Sequence, residues 1–255
     1  MPGSEGRKRI VALTEVELQG LADQALKAWP DDAWRGRIER SSGWKYPVLS
    51  LVAKAAALTS ETTTMQQIVA AADRCRAARM GPVLVALDGR SATGKSTMAA
   101  ALAHLLDATV VEGDDFYAGG SDAEWRARTP ARRVALCIDW QRMRAQALEP
   151  LLAGRPASWH PFDWESGAGL AQHTISCEPA PVLVLDGVYS GRPELADLVD
   201  VAVLLRLPEA QRLRRLATRE GDAFMADWHR LWESAEEYYF AHVRPPHSFD
   251  VVIGP

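Results

Sequence analysis

The stretch Gly89-Arg90-Ser91-Ala92-Thr93-Gly94-Lys95-Ser96 decides the fold of this chain, because it matches the phosphate-binding pattern G-x-x-x-x-G-K-S/T. The apolar run Val83–Leu87 before it predicts a buried parallel strand, and the helix formers of Thr97–Leu106 after it predict a helix. Strand, glycine-rich turn and helix in this order aim backbone N–H groups and the positive end of a helix dipole at a triphosphate. We therefore predict that Lys95 reaches the outer phosphates and that the Ser96 hydroxyl ligates Mg²⁺.

The overall composition limits the class of protein. The chain has 255 residues, of which 47% are hydrophobic, and it can bury one core with a small annex. A net charge of −4 argues against a nucleic-acid partner, and no apolar run is long enough to span a membrane. The 3 cysteines have no metal-ligand spacing, and no apolar signal core follows the basic N-terminus. We therefore expect reduced thiols and a cytoplasmic protein.

Two regions follow one another along the chain. Residues 1–80 show no strand pattern and are predicted to form a helical N-terminal extension, with helices from Thr14 to about Trp29, over Val48–Leu58 and from Thr64 to near Met80. Over residues 81–255 strands and helices alternate, which predicts an α/β domain with a parallel sheet between two helical layers. The predicted strands are Val83–Leu87, Thr109–Glu112, Val182–Leu185, Val201–Arg206 and Val251–Ile253. The predicted helices are Gly94–Leu106, Asp139–Leu152, Pro208–Arg219 and Asp222–Val243.

Acidic residues stand after two of the predicted strands, at the edge where open α/β sheets bind their ligands. Asp114 and Asp115 come just after Thr109–Glu112, and Asp186 closes the run Val182–Leu185. Because Asp186 ends a strand of the Walker B kind, we predict that it holds the metal together with Ser96. We predict that Asp114 acts in catalysis or on the metal side. A helix cap or a turn is the alternative role for each acid.

The predicted helix Pro208–Arg219 is rich in arginine. Its leucines form an apolar stripe, so some of the arginines must belong to the solvated face. Arginine-rich helices that follow a late strand also form lids whose guanidinium groups bind phosphates in a bidentate manner. We predict that Arg215 is catalytic and that Arg212 and Arg219 contact the nucleotide.

In order and spacing, the motifs over roughly residues 83–255 resemble the uridine-kinase-like branch of P-loop kinases, which includes nucleoside, nicotinamide-riboside and pantothenate kinases. The resemblance implies a three-layer α/β/α P-loop nucleoside triphosphate hydrolase fold, ATP and Mg²⁺ as cofactors, and a small-molecule hydroxyl as the phosphate acceptor. Beyond the phosphate loop it rests on Asp114-Asp115-Phe116-Tyr117, Ile138-Asp139-Trp140, Pro161-Phe162-Asp163-Trp164, Leu185-Asp186-Gly187-Val188-Tyr189, Val243-Arg244-Pro245-Pro246-His247 and Asp250–Ile253.

The resemblance also implies roles for single residues. In the family segment that Asp114-Asp115-Phe116-Tyr117 resembles, the first aspartate acts as a base toward the acceptor hydroxyl. The resemblance implies this role for Asp114. Asp139 matches the aspartate that holds ribose hydroxyls. The expected ATP contacts of the loop are Gly89, Ser91, Ala92, Thr93, Gly94, Lys95, Ser96 and Thr97, and the substrate side is completed by Tyr117, Phe162, Asp163 and Trp164. Related kinases form dimers and tetramers, so a homo-oligomer is compatible with the resemblance.

Several departures from the family pattern bear on the acceptor. Glu165–Gly169 stands where the family has its pyrimidine-contacting His and Arg, the lid is short around Glu220–Asp222, and the N-terminal extension is an addition. In addition, Asp186 replaces the usual Glu. These differences leave the kinase chemistry intact and argue against uridine or cytidine as the substrate.

The sequence therefore predicts an ATP-dependent kinase that phosphorylates a small-molecule hydroxyl. A nucleoside or related riboside is the first acceptor to consider. A secondary metabolite or antibiotic is the second, because the acceptor side is rich in tryptophan. Two alternatives belong to other classes: a nucleotide-driven switch ATPase that acts on a protein partner, and a simple nucleotide-binding module.

Overall fold

The apolar run that precedes the phosphate loop forms the middle strand of the sheet. The computed structural model of the protein describes residues 62–221 and 226–254, and the helices expected at Thr14–Trp29 and Val48–Leu58 lie outside this part of the chain. Strand β1 (Val83–Asp88) is buried along its whole length, as an apolar strand between two helical layers should be.

The central sheet consists of parallel strands. In chain order the strands are β1, β2 (Thr109–Glu112), β3 (Ala157–Trp159), β4 (Ile175–Cys177), β5 (Val182–Asp186), β6 (Val201–Leu205) and β7 (Val251–Ile253). The 5-stranded sheet has the order β2-β5-β1-β6-β7, and β3 and β4 form a separate antiparallel pair. The predicted parallel α/β class and its strands are confirmed, with ends that differ by at most one residue. The β3–β4 pair was not predicted.

Helices surround this sheet. They are α1 (Thr62–Ala78), α2 (Lys95–Leu106), α3 (Asp122–Ala127), α4 (Pro130–Leu136), α5 (Trp140–Met143), α6 (Glu149–Leu152), α7 (Glu209–Glu220) and α8 (Ala226–Tyr238). A π-helical turn, Arg144–Leu148, joins α5 to α6, and another, Tyr239–Val243, follows α8. Short 3-10 helices lie at Gly113–Phe116, Pro193–Leu195 and Pro246–Ser248. Within residues 62–221 and 226–254, no helix has the length and apolar content that a membrane crossing requires.

Side chains of alternate strand residues pack into two separate hydrophobic cores, one on each face of the sheet. Leu87 of β1 packs with Ile68 of α1 and Leu102 of α2 on one face of the sheet. Leu84 of the same strand packs on the other face, in the core that contains Trp125 of α3. This alternation follows from the two-residue period of a strand and produces three layers. Helix α1 is thus part of the layer that covers the sheet.

The strand register brings the ends of three strands to one edge. Leu87 pairs with Asp186, and Asp186 pairs on its other side with Glu112. The glycines that follow β2 and β5 lie against each other, since a β-carbon on Gly187 would stand 3.3 Å from Cα of Gly113. The phosphate loop and the segments that carry Asp114 and Asp186 therefore start side by side.

Candidate active site

The phosphate loop is shaped by a glycine at each end. Gly89 has a φ of 146°, and a β-carbon there would lie 2.3 Å from the carbonyl oxygen of Leu205 at the end of β6. Gly94 has a φ of 100° and is the N-cap residue of α2, with no side chain capping the helix. Both conformations favour glycine, and the first turn of α2 keeps its backbone N–H groups available to a ligand.

A buried cation lies inside the loop. The Nζ of Lys95 donates hydrogen bonds to the carbonyl oxygens of Gly89, at 2.9 Å, and of Arg90, at 3.0 Å. Ser96 and Thr97 follow it in the first turn of α2, where both are exposed. An uncapped helix start, a buried ammonium and an exposed hydroxyl at one place fit a triphosphate with its Mg²⁺.

One arginine of α7 lies over the loop. Nη1 of Arg215, on α7, stands 3.4 Å from the position that a β-carbon of Gly94 would take. Arg212 is buried and forms an ion pair with Glu233 of α8, and Arg219 forms a more exposed pair with Glu220. Of the arginines predicted to meet the nucleotide, Arg215 is the one that the structure brings against the glycine end of the loop.

The two aspartates after β2 differ in their surroundings. Asp114 is exposed, and its carboxylate accepts no hydrogen bond from any residue in the described part of the chain. Asp115 is largely buried and accepts a hydrogen bond of 2.9 Å from Nε1 of Trp159. Burial raises the pKa of Asp115 to about 6, and the nearby charge of Asp114 adds to this effect. Of the two carboxylates, that of Asp114 is therefore the more exposed.

The other acids predicted for the substrate side organise their own loops. Oδ1 of Asp139 accepts a 2.9 Å hydrogen bond from the backbone N–H of Arg142 and caps α5, while 43% of its side chain stays exposed. Asp163 accepts a 2.7 Å hydrogen bond from the Ser166 hydroxyl, which together with the Ser166 N–H lowers the pKa of this carboxyl. Asp139 keeps room for a ligand, whereas Asp163 mainly shapes the turn that carries Trp164.

An aromatic wall stands beside the Asp114 segment. Trp164 stacks on Tyr117 with ring centroids 5.0 Å apart and an interplanar angle of 23°, and Phe162 meets Tyr117 edge-on at 4.9 Å. Trp164 is 61% exposed although it is large and apolar. Burial raises the pKa of Tyr117 to about 12, so its hydroxyl stays protonated near neutral pH. The wall offers a flat apolar face to a ligand.

A cavity of about 490 Å³ opens next to the phosphate loop. Its walls include the loop residue Arg90, the segment after β6 and the region after α8; the lining residues include Thr93, Leu207, Phe240 and Pro246. A second cavity, of about 420 Å³, lies near Met80 and Pro181, just before β1 and β5 begin, at the opposite edge of the sheet. The first cavity has a volume suited to a small-molecule ligand and adjoins the phosphate loop.

Within residues 62–221 and 226–254, no three His, Cys, Asp or Glu side chains are grouped so that they could hold a metal ion. Mg²⁺ bound to a nucleotide needs only one or two protein ligands, because phosphate oxygens and water complete its shell. Ser96, Asp186 and Asp114 remain the predicted ligands.

Sequence reasoning missed two buried acids at this site. Asp88, the last residue of β1, accepts a 2.7 Å hydrogen bond from the N–H of Gly89, and burial raises its pKa. Its position at the end of an apolar strand was a usable signal. Glu236 of α8 accepts hydrogen bonds from Ser91. No pattern marked Glu236, because the helical periodicity around it does not reveal which loop the helix meets.

No model of a known protein family matches this chain. Solved structures nevertheless share its fold. A possible uridine kinase from Bacillus stearothermophilus is 21% identical with a TM-score of 0.52, and the match covers 74% of this chain and 100% of that one. A putative fructose transport system kinase from Silicibacter sp. TM1040 is 24% identical with a TM-score of 0.51 over 72% and 98% of the chains. A D-glycerate 3-kinase from Cryptococcus neoformans is 13% identical with a TM-score of 0.53 over 72% and 88%. The chain therefore has the α/β fold of these kinases.

Proposed function

We propose that this protein is an ATP-dependent phosphotransferase that transfers the γ-phosphate to a hydroxyl of a small molecule. The observation that carries the proposal is the joint placement, at one edge of the sheet, of a cationic phosphate loop and an exposed Asp114 whose carboxylate accepts no hydrogen bond from the described residues. Sharing a fold with kinases of different small molecules supports the same class of reaction.

The loop and the lid would hold the triphosphate. Backbone N–H groups at the start of α2 would bind the phosphates, and Lys95 would turn from the loop carbonyls to the transferring group. Ser96 with Asp186 would hold Mg²⁺, which neutralises phosphate charge when it is bound. Arg215 would stabilise the charge of the transferring group from above the loop. Arg212 and Arg219 would reach phosphate only by leaving Glu233 and Glu220.

Asp114 would activate the acceptor. Its carboxylate would take the proton of the acceptor hydroxyl. At the same time the acceptor oxygen would bond to the γ-phosphorus, and the bond from the γ-phosphorus to the leaving ADP would break. An exposed carboxylate with no competing donor among the described residues is able to accept that proton. Asp115 is unsuited to this task, because its Oδ2 already binds Trp159.

The acceptor would lie against the aromatic wall. The exposed face of Trp164, stacked on Tyr117, suits a base, a sugar or another flat ring, and the exposed part of Asp139 suits hydroxyl groups. We therefore place a nucleoside or riboside first. A secondary metabolite or antibiotic with a ring-borne hydroxyl fits the same wall.

The test is ATP turnover with Mg²⁺, with and without a library of hydroxyl compounds, followed by mass spectrometry of the products. We expect one class of compound to stimulate turnover strongly and to gain the mass of one phosphoryl group. The Lys95→Ala variant should lose this activity. Stimulation by a protein alone would favour the switch ATPase, and tight ATP binding without turnover under any condition would favour a binding module.

A further inference from the structure

A glutamate from another element holds the middle of the phosphate loop. Oε1 of Glu236 accepts a 2.9 Å hydrogen bond from the backbone N–H of Ser91 and a 2.7 Å hydrogen bond from the Ser91 hydroxyl. Glu236 is only 3% exposed. A buried carboxylate that accepts two hydrogen bonds from one residue makes a strong contact, because hydrogen bonds to a charged group are stronger than those between neutral groups.

The contact acts next to a strained residue. Ala92, which follows Ser91, has a φ of 64°, in the left-handed region that residues with a β-carbon rarely adopt. Such a conformation persists only when surrounding contacts impose it. By fixing the N–H of Ser91, Glu236 supplies a contact of this kind immediately before the turn.

The π-helical turn that continues α8 is linked to the start of the loop. Tyr239 begins the π-helical turn that continues α8 and lies three residues after Glu236, so the two side chains project from the same side of this continuous segment. The Tyr239 hydroxyl donates to Asp88, which in turn accepts from the N–H of Gly89. Glu236 therefore binds the loop near its middle, and Tyr239 is linked through Asp88 to the first residue of the loop.

Helix α8 is itself held on the acceptor side. Nη1 of Arg133, on α4, donates to the carbonyl oxygen of Leu231 at 3.2 Å and to the Ser234 hydroxyl at 3.0 Å. Trp232 packs against Trp125 with ring centroids 5.0 Å apart, behind the aromatic wall. Glu236 is therefore presented to Ser91 from a fixed position.

We propose that Glu236 is a positioning residue of the phosphate loop, which holds Ser91 and the adjacent left-handed turn in the form that binds a triphosphate. The inference rests on the proposed function, because it assigns Glu236 to the loop that binds ATP there. Because Glu236 preorganises the loop for ATP, the loss of Glu236 weakens ATP binding without removing any group that contacts the phosphates.

The test compares Glu236→Ala with Glu236→Gln and with Asp227→Ala. Asp227 lies on the same helix, with 72% of its side chain exposed, and serves as the matched control. Calorimetry with ATP and Mg²⁺ measures affinity, and hydrogen–deuterium exchange of the loop in the nucleotide-free protein measures its order. We expect Glu236→Ala to weaken ATP binding by about tenfold or more and to speed exchange of the loop amides.

Glu236→Gln keeps an oxygen that accepts from Ser91, so it should restore most of the affinity. If Glu236 only stabilised the fold, Glu236→Gln would not restore ATP affinity in this way. In that case the effects of Ser91→Ala and Glu236→Ala on ATP affinity would also be additive in the double variant. Unchanged or tighter ATP binding in Glu236→Ala, with a wild type that binds ATP, would overturn the inference and leave the proposed function standing. A wild type that binds no ATP would overturn the proposed function and the inference with it.

Discussion

The hydroxyl of Tyr239 donates a 2.8 Å hydrogen bond to Oδ2 of Asp88, a side chain that solvent does not reach. The same carboxylate accepts from the backbone N–H groups of Gly89, at 2.7 Å, and of Gly191, at 2.9 Å. One buried carboxylate therefore connects the π-helical turn after α8 to the start of the phosphate loop and to the segment after β5.

Replacing Tyr239 with Phe should destabilise the protein. The change leaves the buried Asp88 carboxylate with one donor fewer, and such a loss costs about 1–3 kcal/mol of unfolding free energy. Urea unfolding of both proteins measures the difference. Tyr238→Phe is the control, because the Tyr238 ring contacts His242 and lies partly exposed on the same helix. Equal stability of the two variants would show that the Tyr239 hydroxyl does not support Asp88.

Gly89→Ala should abolish the folded phosphate loop. The new β-carbon would lie 2.3 Å from the Leu205 carbonyl oxygen, so β6 or the loop must move. Gly154→Ala is the matched control, since Gly154 also has a positive φ, of 70°, but has no atom of the described residues within 4 Å of the added carbon. The free energy of unfolding that Gly154→Ala loses should stay near roughly 1 kcal/mol, the strain of placing a residue with a β-carbon in the left-handed region. Thermal unfolding of both variants, together with ATP binding, separates backbone strain from the clash; similar losses in both would contradict this account.

The phosphate loop and the sheet around it were predictable because they depend on local patterns. Apolar runs of strand length, a glycine motif and helix formers follow one another around Gly89, and each indicates the same fold. The β3–β4 pair was missed because its strands are 3 residues each and flank a loop with no clear alternation. Short strands of this kind are selected by tertiary packing, which local pattern does not record.

Asp115 should make stability depend on pH in a defined direction. Its pKa, ordinarily 3.8, is raised to about 6 by burial, so between these values the folded protein keeps a proton that the unfolded chain has lost. Stability therefore falls as pH rises through this window, by up to about 3 kcal/mol for this one group. Asp115→Asn has no proton to lose and can still accept from Trp159, so it should be more stable than wild type at about pH 8 and similar at about pH 4. Unfolding at both pH values measures this, and the same difference at both would exclude the titration of Asp115 as its cause.

The interactions of the site with α8 could not be predicted from the sequence. Glu236 and Ser91 are separated by 145 residues, and the pattern around Glu236 predicts only a helix. Likewise, the sequence showed that Arg212, Arg215 and Arg219 share a helix, but not which one faces the loop. Which side chains contact each other across such sequence separations depends on how the layers pack, and this packing cannot be derived from a single sequence.

Arg215→Ala should lower the rate of phosphoryl transfer more than it weakens ATP binding. Its guanidinium lies over Gly94, where it can stabilise charge that develops during transfer, and the loss of one such group typically costs about 10²–10³ in kcat. Arg214→Ala is the neighbouring control, because the exposed Arg214 side chain donates, within the described part of the chain, only to the Ala210 carbonyl oxygen of its own helix. Turnover and calorimetry with ATP measure the two effects. A loss of ATP affinity with unchanged kcat would assign Arg215 to ground-state binding instead.

Asp114→Asn should abolish phosphoryl transfer while ATP binding survives. The amide keeps the size of the side chain but cannot take a proton from the acceptor, so turnover of the acceptor found in the screen should fall by about 10²–10⁴. Asp115→Asn is the adjacent comparison, and it should retain transfer because Asp115 binds Trp159 rather than a substrate. Steady-state kinetics with the acceptor, and calorimetry with ATP and Mg²⁺, give both quantities for both variants. If Asp114→Asn turned over normally and Asp115→Asn did not, the base would be the buried aspartate, and the exposed carboxylate would have no part in the proton transfer.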